Sequence, residues 1–486
     1  MKTIFILFFL SIPFFTYPQS CDCESNFQWL QKTFEDNDAG FSYAVDNKGK
    51  QAYAQHNEAF TQTIQEITTL DACMEALYEW LTFFRSGHIA IRPLQQAEDQ
   101  SGSQSKSRTP SKKKIREQFQ DWETVDLDID EFVAYAQSKQ EVDYEGTWVS
   151  GQYNIGIKKI ADTYVGFILE ADGVYWTEKQ VKLKIQADNS ATFYMKDHSP
   201  RTFAQAELLG NNHLKLGFVN LKRTSPTFKN SPAVERHLRA ISSDKPYFEE
   251  VDAQTTLLRI PSFRNSEKKA IDDVIQANRE QILAKPNLII DLRNNGGGSD
   301  GSFGELLPIL YTDPIRTVGV ELRSTPMNNQ RMLAFVNDPK YGFDEEDKKW
   351  AQESYEKLSE RIGEFVNLDS TIVDITTFDT IYANPANIGI IIHEHNGSTT
   401  EQFLLAAKQS KKVKLFGTTT AGVLDISNMF FIPSPCEEFE LGYCLSRSMR
   451  IPEMTIDEKG IQPDYYIDKS VPPYQWLEFV QNILNQ

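Results

Sequence analysis

Positive charge is scarce in this chain of 486 residues, where 50 lysines and arginines face 68 aspartates and glutamates. The net charge of −18 argues against a nucleic-acid-binding protein, because phosphate backbones require a basic surface. No long apolar run follows residue 15, so we expect no transmembrane helix. The sequence also lacks metal-ligand spacing, a phosphate-binding Gly-Lys-Ser/Thr motif and a complete dinucleotide fingerprint. We therefore predict neither a metal nor another cofactor.

Apolar residues, in contrast, are sufficient for several buried cores, at 40% hydrophobic and 12% aromatic content. The length predicts about three domains. Helical spacing of apolar residues near the N-terminus and short alternating strands further on predict the following division. It comprises a signal peptide (1–20), a helical region (21–143) with a low-complexity loop at 94–115, an antiparallel β module (144–245) and an α/β domain (246–486).

The N-terminal segment predicts export. An apolar run at residues 4–15 follows Lys2, which is the pattern of a signal peptide and is too short for a membrane span. We expect a periplasmic or secreted protein, with a lipid anchor at Cys21 as the alternative. The cysteine content fits an oxidising compartment. If Cys21 carries a lipid, the other cysteines pair evenly as Cys23–Cys73 and Cys436–Cys444, the second across a hairpin; buried thiols are the simpler alternative.

Two strand ends dominate the α/β domain. Residues 287–299 read NLIIDLRNNGGGS, an apolar run of a strand buried on both faces, followed by glycines that can turn amide groups outward. Residues 387–393 predict a second strand, and a helix follows from Ser398 to Ser410. A serine at such a turn is a candidate nucleophile, and the Gly-rich turn is a candidate oxyanion hole. Alternatively, Ser398 and Glu401 form a capping box of the helix.

These segments resemble those of the S41 peptidases, the tail-specific or C-terminal processing proteases and their tricorn-like relatives. The resemblance rests on DLRNNGGG, Ser398-x-x-Glu401, GTTTAG at 417–422 and GIQPD at 460–464, in the family's order, with a weaker match at Ser86-Gly87-His88. It implies an α/β catalytic core with a ClpP/crotonase-like sheet and helices, beside the helical region and the small antiparallel β domain. We find no PDZ pattern, and the β module stands in its place.

The resemblance also implies a base for the serine hydroxyl. Processing proteases place a lysine directly after the last glycine of the GTTTAG-like segment, but this sequence has Val423 there. Because valine cannot accept a proton, we do not expect a Ser–Lys dyad. Tricorn-like members use a histidine from the N-terminal region, which makes His88 the first candidate and His395 the second. His393 is expected to be a strand residue.

Further site residues follow from the same resemblance. The family acid lies three residues before the glycine of GIQPD, which gives Asp457, with Glu458 as the alternative. Either residue would orient His88 directly or through a hydroxyl such as that of Ser86; a solvated turn is the structural alternative. Oxyanion donors would be the backbone amides of Thr399 and of Gly296 or Gly297. Asp291 and Arg293 are expected to form an ion pair.

The expectation is therefore an exported serine endopeptidase that acts on unfolded or C-terminal polypeptide segments without a cofactor. A non-catalytic ligand- or peptide-binding protein on the same fold is the alternative, because the interphotoreceptor retinoid-binding protein has repeats that resemble this core. The sequence does not indicate an oligomeric state.

Overall fold

The computed structural model describes residues 21–94, 112–369 and 371–486. They divide into two compact units. The first contains the described residues up to 94 together with 243–471 and 476–486, and the second contains 112–242 and 472–475. The predicted signal peptide (1–20) and most of the predicted low-complexity loop (95–111) lie outside the described residues.

The first unit begins with helices whose apolar residues recur at helical spacing. Phe27, Leu30 and Phe34 are buried together in its N-terminal core. Asp22 caps the first helix by accepting a hydrogen bond from the amide of Ser25 at 2.8 Å. The elements are α1 (Cys23–Asn37), α2 (Phe41–Lys48), α3 (Lys50–Ile64), α4 (Leu70–Thr82) and β1 (Ala90–Pro93).

The second unit is built on the short alternating segments of the sequence. Its elements are α5 (Lys112–Gln118), α6 (Ile129–Ser138), β2 (Gly146–Ser150), β3 (Tyr153–Ile160), β4 (Thr163–Glu170), β5 (Val181–Ile185), β6 (Ala191–Tyr194), β7 (Pro200–Phe203), β8 (Ala206–Leu209), β9 (His213–Leu216), β10 (Val219–Ser225) and α7 (Pro232–Ser242). The strands form one antiparallel sheet in the order β7-β6-β5-β4-β3-β2-β10-β9-β8. Trp148, Ile155 and Leu183 lie in its core.

The remaining chain belongs to the first unit, apart from a short 3-10 turn at Pro473–Gln475. Its strands are β11 (Tyr247–Glu250), β12 (Thr255–Arg259), β13 (Asn287–Asp291), β14 (Ile315–Val318), β15 (Val320–Arg323), β16 (Phe365–Val366), β17 (Val373–Thr376), β18 (Asn387–Ile392), β19 (Val413–Gly417), β20 (Ile426–Pro433), β21 (Phe439–Ser448) and β22 (Tyr465–Tyr466). Its helices are α8 (Lys268–Ala277), α9 (Arg279–Ala284), α10 (Leu307–Leu310), α11 (Pro326–Asn337), α12 (Glu345–Ser359), α13 (Thr399–Ala407) and α14 (Trp476–Leu484).

A six-stranded sheet positions the site. Its order is β11-β12-β13-β18-β19-β22, and every neighbouring pair is parallel except β11 with β12. The apolar runs of β13 and β18 are adjacent, with Ile290 opposite Ile390, and both residues are fully buried. Because parallel neighbours end at the same edge of a sheet, the loops after β13 and β18 lie side by side.

Smaller sheets complete the first unit. In one of them β21 is central and pairs antiparallel with β1, β15 and β20. The strand that follows His88, β1, therefore lies beside the β20–β21 hairpin. β14 and β17 form a separate antiparallel pair. No helix in the described part of the chain is long and apolar enough to span a membrane.

The cysteine pairing differs in part from the prediction. Disulfides join Cys23 to Cys73, as predicted, and Cys21 to Cys436, whereas Cys444 is a buried free thiol. The predicted Cys436–Cys444 bridge is wrong, because Cys436 lies in the turn before β21 and Cys444 lies within β21, opposite Met429. Along an extended strand these residues are too far apart for the Cα separation of at most about 7 Å that a disulfide allows.

The Cys21 disulfide also bears on the lipid-anchor alternative. A lipid thioether would occupy the sulfur that Cys21 shares with Cys436. Lipid attachment at Cys21 would therefore require this disulfide to be absent.

Candidate active site

Ser398 occupies the sharp turn between β18 and α13. Its backbone has φ 55° and ψ −128°, a conformation that costs energy for a residue with a Cβ atom. The side chain makes no capping hydrogen bond to the first turn of α13, and the residue is half-buried. Its amide donates to the carbonyl oxygen of Val423 at 2.7 Å. The hydroxyl is therefore not engaged as a helix cap.

Glu401, the second member of the alternative capping box, has a different role. Its buried carboxylate accepts hydrogen bonds from the hydroxyl of Thr420 and from the amides of Gly422 and Val423, the two amides at 2.8 Å each. Burial raises the pKa of Glu401 despite these bonds, which favour its ionised form. The capping box is therefore absent, and Glu401 instead holds the loop after β19 against the start of α13. No motif in the sequence indicates this role.

The Gly-rich loop after β13 contacts Ser398 directly. Gly297 has φ 103°, and a Cβ atom built on it would lie 2.8 Å from Cβ of Ser398 and 2.9 Å from the amide nitrogen of Thr399. Only glycine permits both this backbone conformation and this approach. Asn295 fixes the loop, because its Oδ1 accepts from the amide of Gly297 at 3.1 Å and from the hydroxyl of Thr400 at 2.9 Å. The two strand ends predicted to meet do so.

The three predicted oxyanion donors are not equivalent. The Gly297 amide already donates to Asn295. Within the described chain, the amides of Gly296 and Thr399 donate no hydrogen bond to a protein group. Thr399 is the first residue of α13, where the amide points out of the helix and the helix dipole favours negative charge. Gly296 and Thr399 are thus the donors that an oxyanion could engage in this arrangement.

His88 is held at its imidazole by a backbone carbonyl. Nδ1 lies 2.6 Å from the carbonyl oxygen of Ile426, the first residue of β20. Because a carbonyl oxygen only accepts, Nδ1 must carry the proton, which leaves Nε2 of the neutral ring as an acceptor. Burial lowers the pKa of His88 to about 4, and the nearby positive charge of Arg85 acts in the same direction. The imidazole is therefore neutral at pH 7.

Val423 connects the turns of His88 and Ser398. A Cβ atom built on Gly87 would lie 2.7 Å from each γ-methyl group of Val423, so the His88 turn packs against this side chain. The carbonyl oxygen of the same residue accepts from the amide of Ser398 at 2.7 Å. The turns that carry the predicted base and nucleophile thus both contact Val423.

The two acid candidates occupy different environments. Asp457 accepts hydrogen bonds from the amides of Leu424 at 2.6 Å, Asp425 at 2.7 Å and Ile426 at 3.2 Å. Both Asp457 and the imidazole of His88 therefore contact the backbone of Ile426, and burial raises the pKa of the Asp457 carboxyl group. Glu458 is exposed and lies 3.8 Å from Nζ of Lys48.

Residues 254–467 match the family model described as Peptidase family S41. Over these residues the chain is similar to peptidase family S41. The match supports a peptidase, and hence a hydrolase that acts on polypeptides. It includes Ser398, Gly296, Gly297 and both acid candidates, whereas His88 lies before it.

Solved structures resemble the chain over nearly its full length. A mutant of CPAF has a TM-score of 0.50 at 12% identity, covering 95% of this chain and 96% of that chain. Mature CPAF complexed with lactacystin has 0.49 at 12%, covering 95% and 98%. The photosystem II D1 C-terminal processing protease has 0.38 at 12%, covering 96% and 98%. The first likeness shows the fold, a mixed α/β arrangement with several sheets. Comparison with curated proteins gave no match.

The two histidines within residues 254–467, His393 and His395, lie beside the Gly-rich loop. Nε2 of His393 lies 2.9 Å from Oδ1 of Asn294, and Nδ1 accepts from the amide of His395 at 3.3 Å. Burial lowers the pKa of His393. His395 is exposed, and its carbonyl oxygen lies 3.8 Å from a Cβ built on Gly296. Both residues flank the oxyanion candidates.

The predicted pair of Asp291 and Arg293 is confirmed. Arg293 Nη2 lies 2.7 Å from Oδ2 of Asp291, and both side chains are buried at the end of β13. Although burial opposes ionisation, Arg293 and Arg259 lower the pKa of Asp291 to about 2. This ion pair fixes the base of the Gly-rich loop. Among the described residues, no cluster of histidine, cysteine, aspartate or glutamate could hold a metal ion.

Proposed function

We propose that this chain is an exported serine endopeptidase of the tail-specific S41 type. Ser398 is the nucleophile, His88 is the general base and the amides of Thr399 and Gly296 form the oxyanion hole. The observation that carries the proposal is the state of Ser398. Its hydroxyl is free of the helix cap, its backbone is strained at a strand-to-helix turn, and it abuts both the Gly-rich loop and the residue that contacts the His88 turn.

In the proposed reaction, Oγ of Ser398 attacks the carbonyl carbon of a peptide bond, and its proton passes to Nε2 of His88. The tetrahedral oxyanion accepts hydrogen bonds from the Thr399 and Gly296 amides. His88 then donates the proton to the departing amine, and water repeats the sequence to release the acyl group. One oxyanion donor is worth roughly a hundredfold in rate, and a general base roughly a hundredfold or more.

In this proposal Asp457 is the acid that orients His88, although its carboxyl group does not contact the imidazole. Its carboxyl group accepts from the Ile426 amide, and the Ile426 carbonyl oxygen holds Nδ1 of His88. The proposed chain of contacts therefore runs from the carboxyl group through the backbone of Ile426, from its amide to its carbonyl group, to the imidazole. The exposed Glu458 has no part in it.

Substrate and location follow from the same proposal. An S41 domain implies a polypeptide substrate, and we propose unfolded or C-terminal segments, cleaved on a ClpP/crotonase-like core without a cofactor. The disulfides Cys21–Cys436 and Cys23–Cys73 support an oxidising compartment and hence export.

Labelling with a fluorophosphonate probe tests the proposal. Wild-type protein is expected to form a covalent adduct, and peptide mapping should locate it at Ser398. The Ser398→Ala variant should not react. Ser427→Ala provides a matched control, because this half-buried serine of β20 has no proposed role, and it should react like wild type. An inert wild-type protein would instead favour the non-catalytic binding protein, and co-purified lipid or peptide would then identify its ligand.

A further inference from the structure

A buried arginine holds the backbone of the turn that carries His88. The guanidinium group of Arg85 donates from Nε to the carbonyl oxygen of Gly87 at 3.1 Å and from Nη2 to that of His88 at 3.0 Å. Arg85 is 6% exposed. His88 has φ 54°, a left-handed conformation that is unfavourable for a residue with a Cβ atom and persists only where surrounding contacts enforce it.

Asp38 at the end of α1 neutralises this arginine. Its carboxylate accepts from Nη1 of Arg85 at 2.7 Å and from Nη2 at 2.5 Å. It also accepts from the amides of Gly40 at 2.9 Å and Cys444 at 3.0 Å. Burial works against the charge on Arg85, but Asp38 raises the pKa of the guanidinium group. The pair thus joins α1, the His88 turn and β21 in one buried network.

Stability alone is a weak explanation for such a pair. Removing two charges from water costs several kcal/mol per ion, and well-packed apolar replacements of buried ion pairs are often equally stable or more stable. The guanidinium group offers something that an apolar residue or a lysine does not. Its planar fork can bind a carboxylate with two nitrogens while other donors bind carbonyl oxygens in fixed directions.

The network anchors His88 at a second point. The imidazole is held at Nδ1 by Ile426, whereas Arg85 holds the backbone from which the side chain projects. Charged and titratable groups face this turn from each neighbouring element: Arg85 within it, Asp38 from α1, Cys444 from β21, and Asp457 through the start of β20. Together the two anchors define where Nε2 points.

We propose that Arg85, neutralised by Asp38, is a positioning residue that aims the imidazole of His88 at Ser398 by binding the carbonyl oxygens of Gly87 and His88. This inference rests on the proposed function, because it assigns a role in the same reaction. It adds residues outside the S41 match and outside the predicted site.

The Arg85→Lys variant tests the inference, because it retains the charge opposite Asp38 but loses the fork. We expect the rate of fluorophosphonate labelling at Ser398, and kcat on fluorescently labelled casein, to fall roughly a hundredfold, as for a misplaced catalytic group. KM should change little. A merely structural role would lower the rate only in proportion to the unfolded fraction, measured by circular dichroism. A folded variant with wild-type labelling would overturn the inference.

Arg223→Lys in the second unit is the matched control. Arg223 is equally buried, and its guanidinium group also donates to backbone carbonyl oxygens, those of Asn211, Glu145 and Asp143. The same substitution there should lower thermal stability to a similar degree. It should leave the labelling rate per folded molecule unchanged. Equal loss of labelling in both variants would contradict a specific role for Arg85.

A second variant keeps the test decisive if Arg85→Lys does not fold. Asp38→Asn combined with Arg85→Gln removes both charges and leaves polar groups to pair. The labelling rate is expected to decrease at low pH as His88 becomes protonated. Because the charge of Arg85 lowers the pKa of His88, this decrease should occur at higher pH in the double variant. The maximal labelling rate at higher pH should also fall. A variant with the pH dependence and the maximal labelling rate of wild type would overturn the inference. Absence of labelling in wild-type protein, in contrast, is the failure of the proposed function itself.

Discussion

The burial of His88 leads to a quantitative expectation for acidic solutions. Burial, assisted by Arg85, lowers the pKa of this histidine from 6.5 to about 4. At pH 5 roughly 90% of His88 would then be neutral, compared with roughly 3% of an unperturbed histidine. If His88 is the base for Ser398, labelling at pH 5 should proceed about thirty times faster than an ordinary histidine would allow.

The assay measures the second-order rate constant of fluorophosphonate labelling from about pH 3.5 to pH 8, with circular dichroism in the same buffers. We expect a plateau down to about pH 5 and a midpoint near pH 4. His88→Gln should lower the plateau and remove this limb. A midpoint near 6.5 in folded protein would refute the reasoning, because His88 would then be solvated or the titrating base would be another group.

The same pKa shift couples folding to pH. The unfolded chain binds a proton at His88 at higher pH than the folded chain, so its protonation favours unfolding. The stability associated with the neutral ring is fully present above about pH 6.5 and is lost as the pH falls towards about 4. Two to three pK units correspond to about 3 kcal/mol. Replacement by glutamine should flatten this part of the stability profile.

The remaining substitution and mapping experiments concern the Gly-rich loop and the cysteines. Gly297→Ala should abolish Ser398 labelling, because its methyl group would meet Ser398 and Thr399 at under 3 Å, whereas Gly304→Ala, with open space around the added carbon, should remain active. Peptide mapping without reduction should yield Cys21–Cys436 and Cys23–Cys73 fragments, with a thiol at Cys444 that reacts only after unfolding. A Cys436–Cys444 fragment would contradict the structure.

Sequence patterns were informative where structure depends on neighbours along the chain. The apolar runs of β13 and β18 and the helical spacing of Phe27, Leu30 and Phe34 predicted buried strands and helices, and these are present. The turn at Ser398 was predicted because glycines and a helix-forming segment surround it. Whether Ser398 and Glu401 form a capping box could not be decided from neighbouring residues. Only the folded loop after β19 shows that Glu401 accepts hydrogen bonds from Gly422 and Val423 instead.

Contacts between distant segments were not predictable from the sequence. Arg85 and Asp38 meet across helices of the N-terminal region, and neither residue belongs to a recognisable motif. Cys21 and Cys436 are 415 residues apart, so spacing gave no indication of their pairing. The sequence also could not show which amides are available as oxyanion donors. The hydrogen bond from the Gly297 amide to Asn295 depends on the conformation of the loop.

Asp457 and Glu458 offer a final comparison between neighbouring carboxylates. In the wild-type protein, three backbone amides donate to the carboxylate of Asp457. Asp457→Asn replaces one carboxylate oxygen with an amide group that can only donate, so at least one backbone amide loses its acceptor. The start of β20 should shift, and with it the Ile426 carbonyl oxygen that holds His88. We expect labelling to fall roughly tenfold to a hundredfold, with about 1–3 kcal/mol of destabilisation. Glu458→Gln removes only an exposed charge near Lys48 and should leave both quantities unchanged. If the Glu458 variant lost activity while the Asp457 variant kept it, the acid would act on the imidazole from the surface, and the route through the backbone of Ile426 would be wrong.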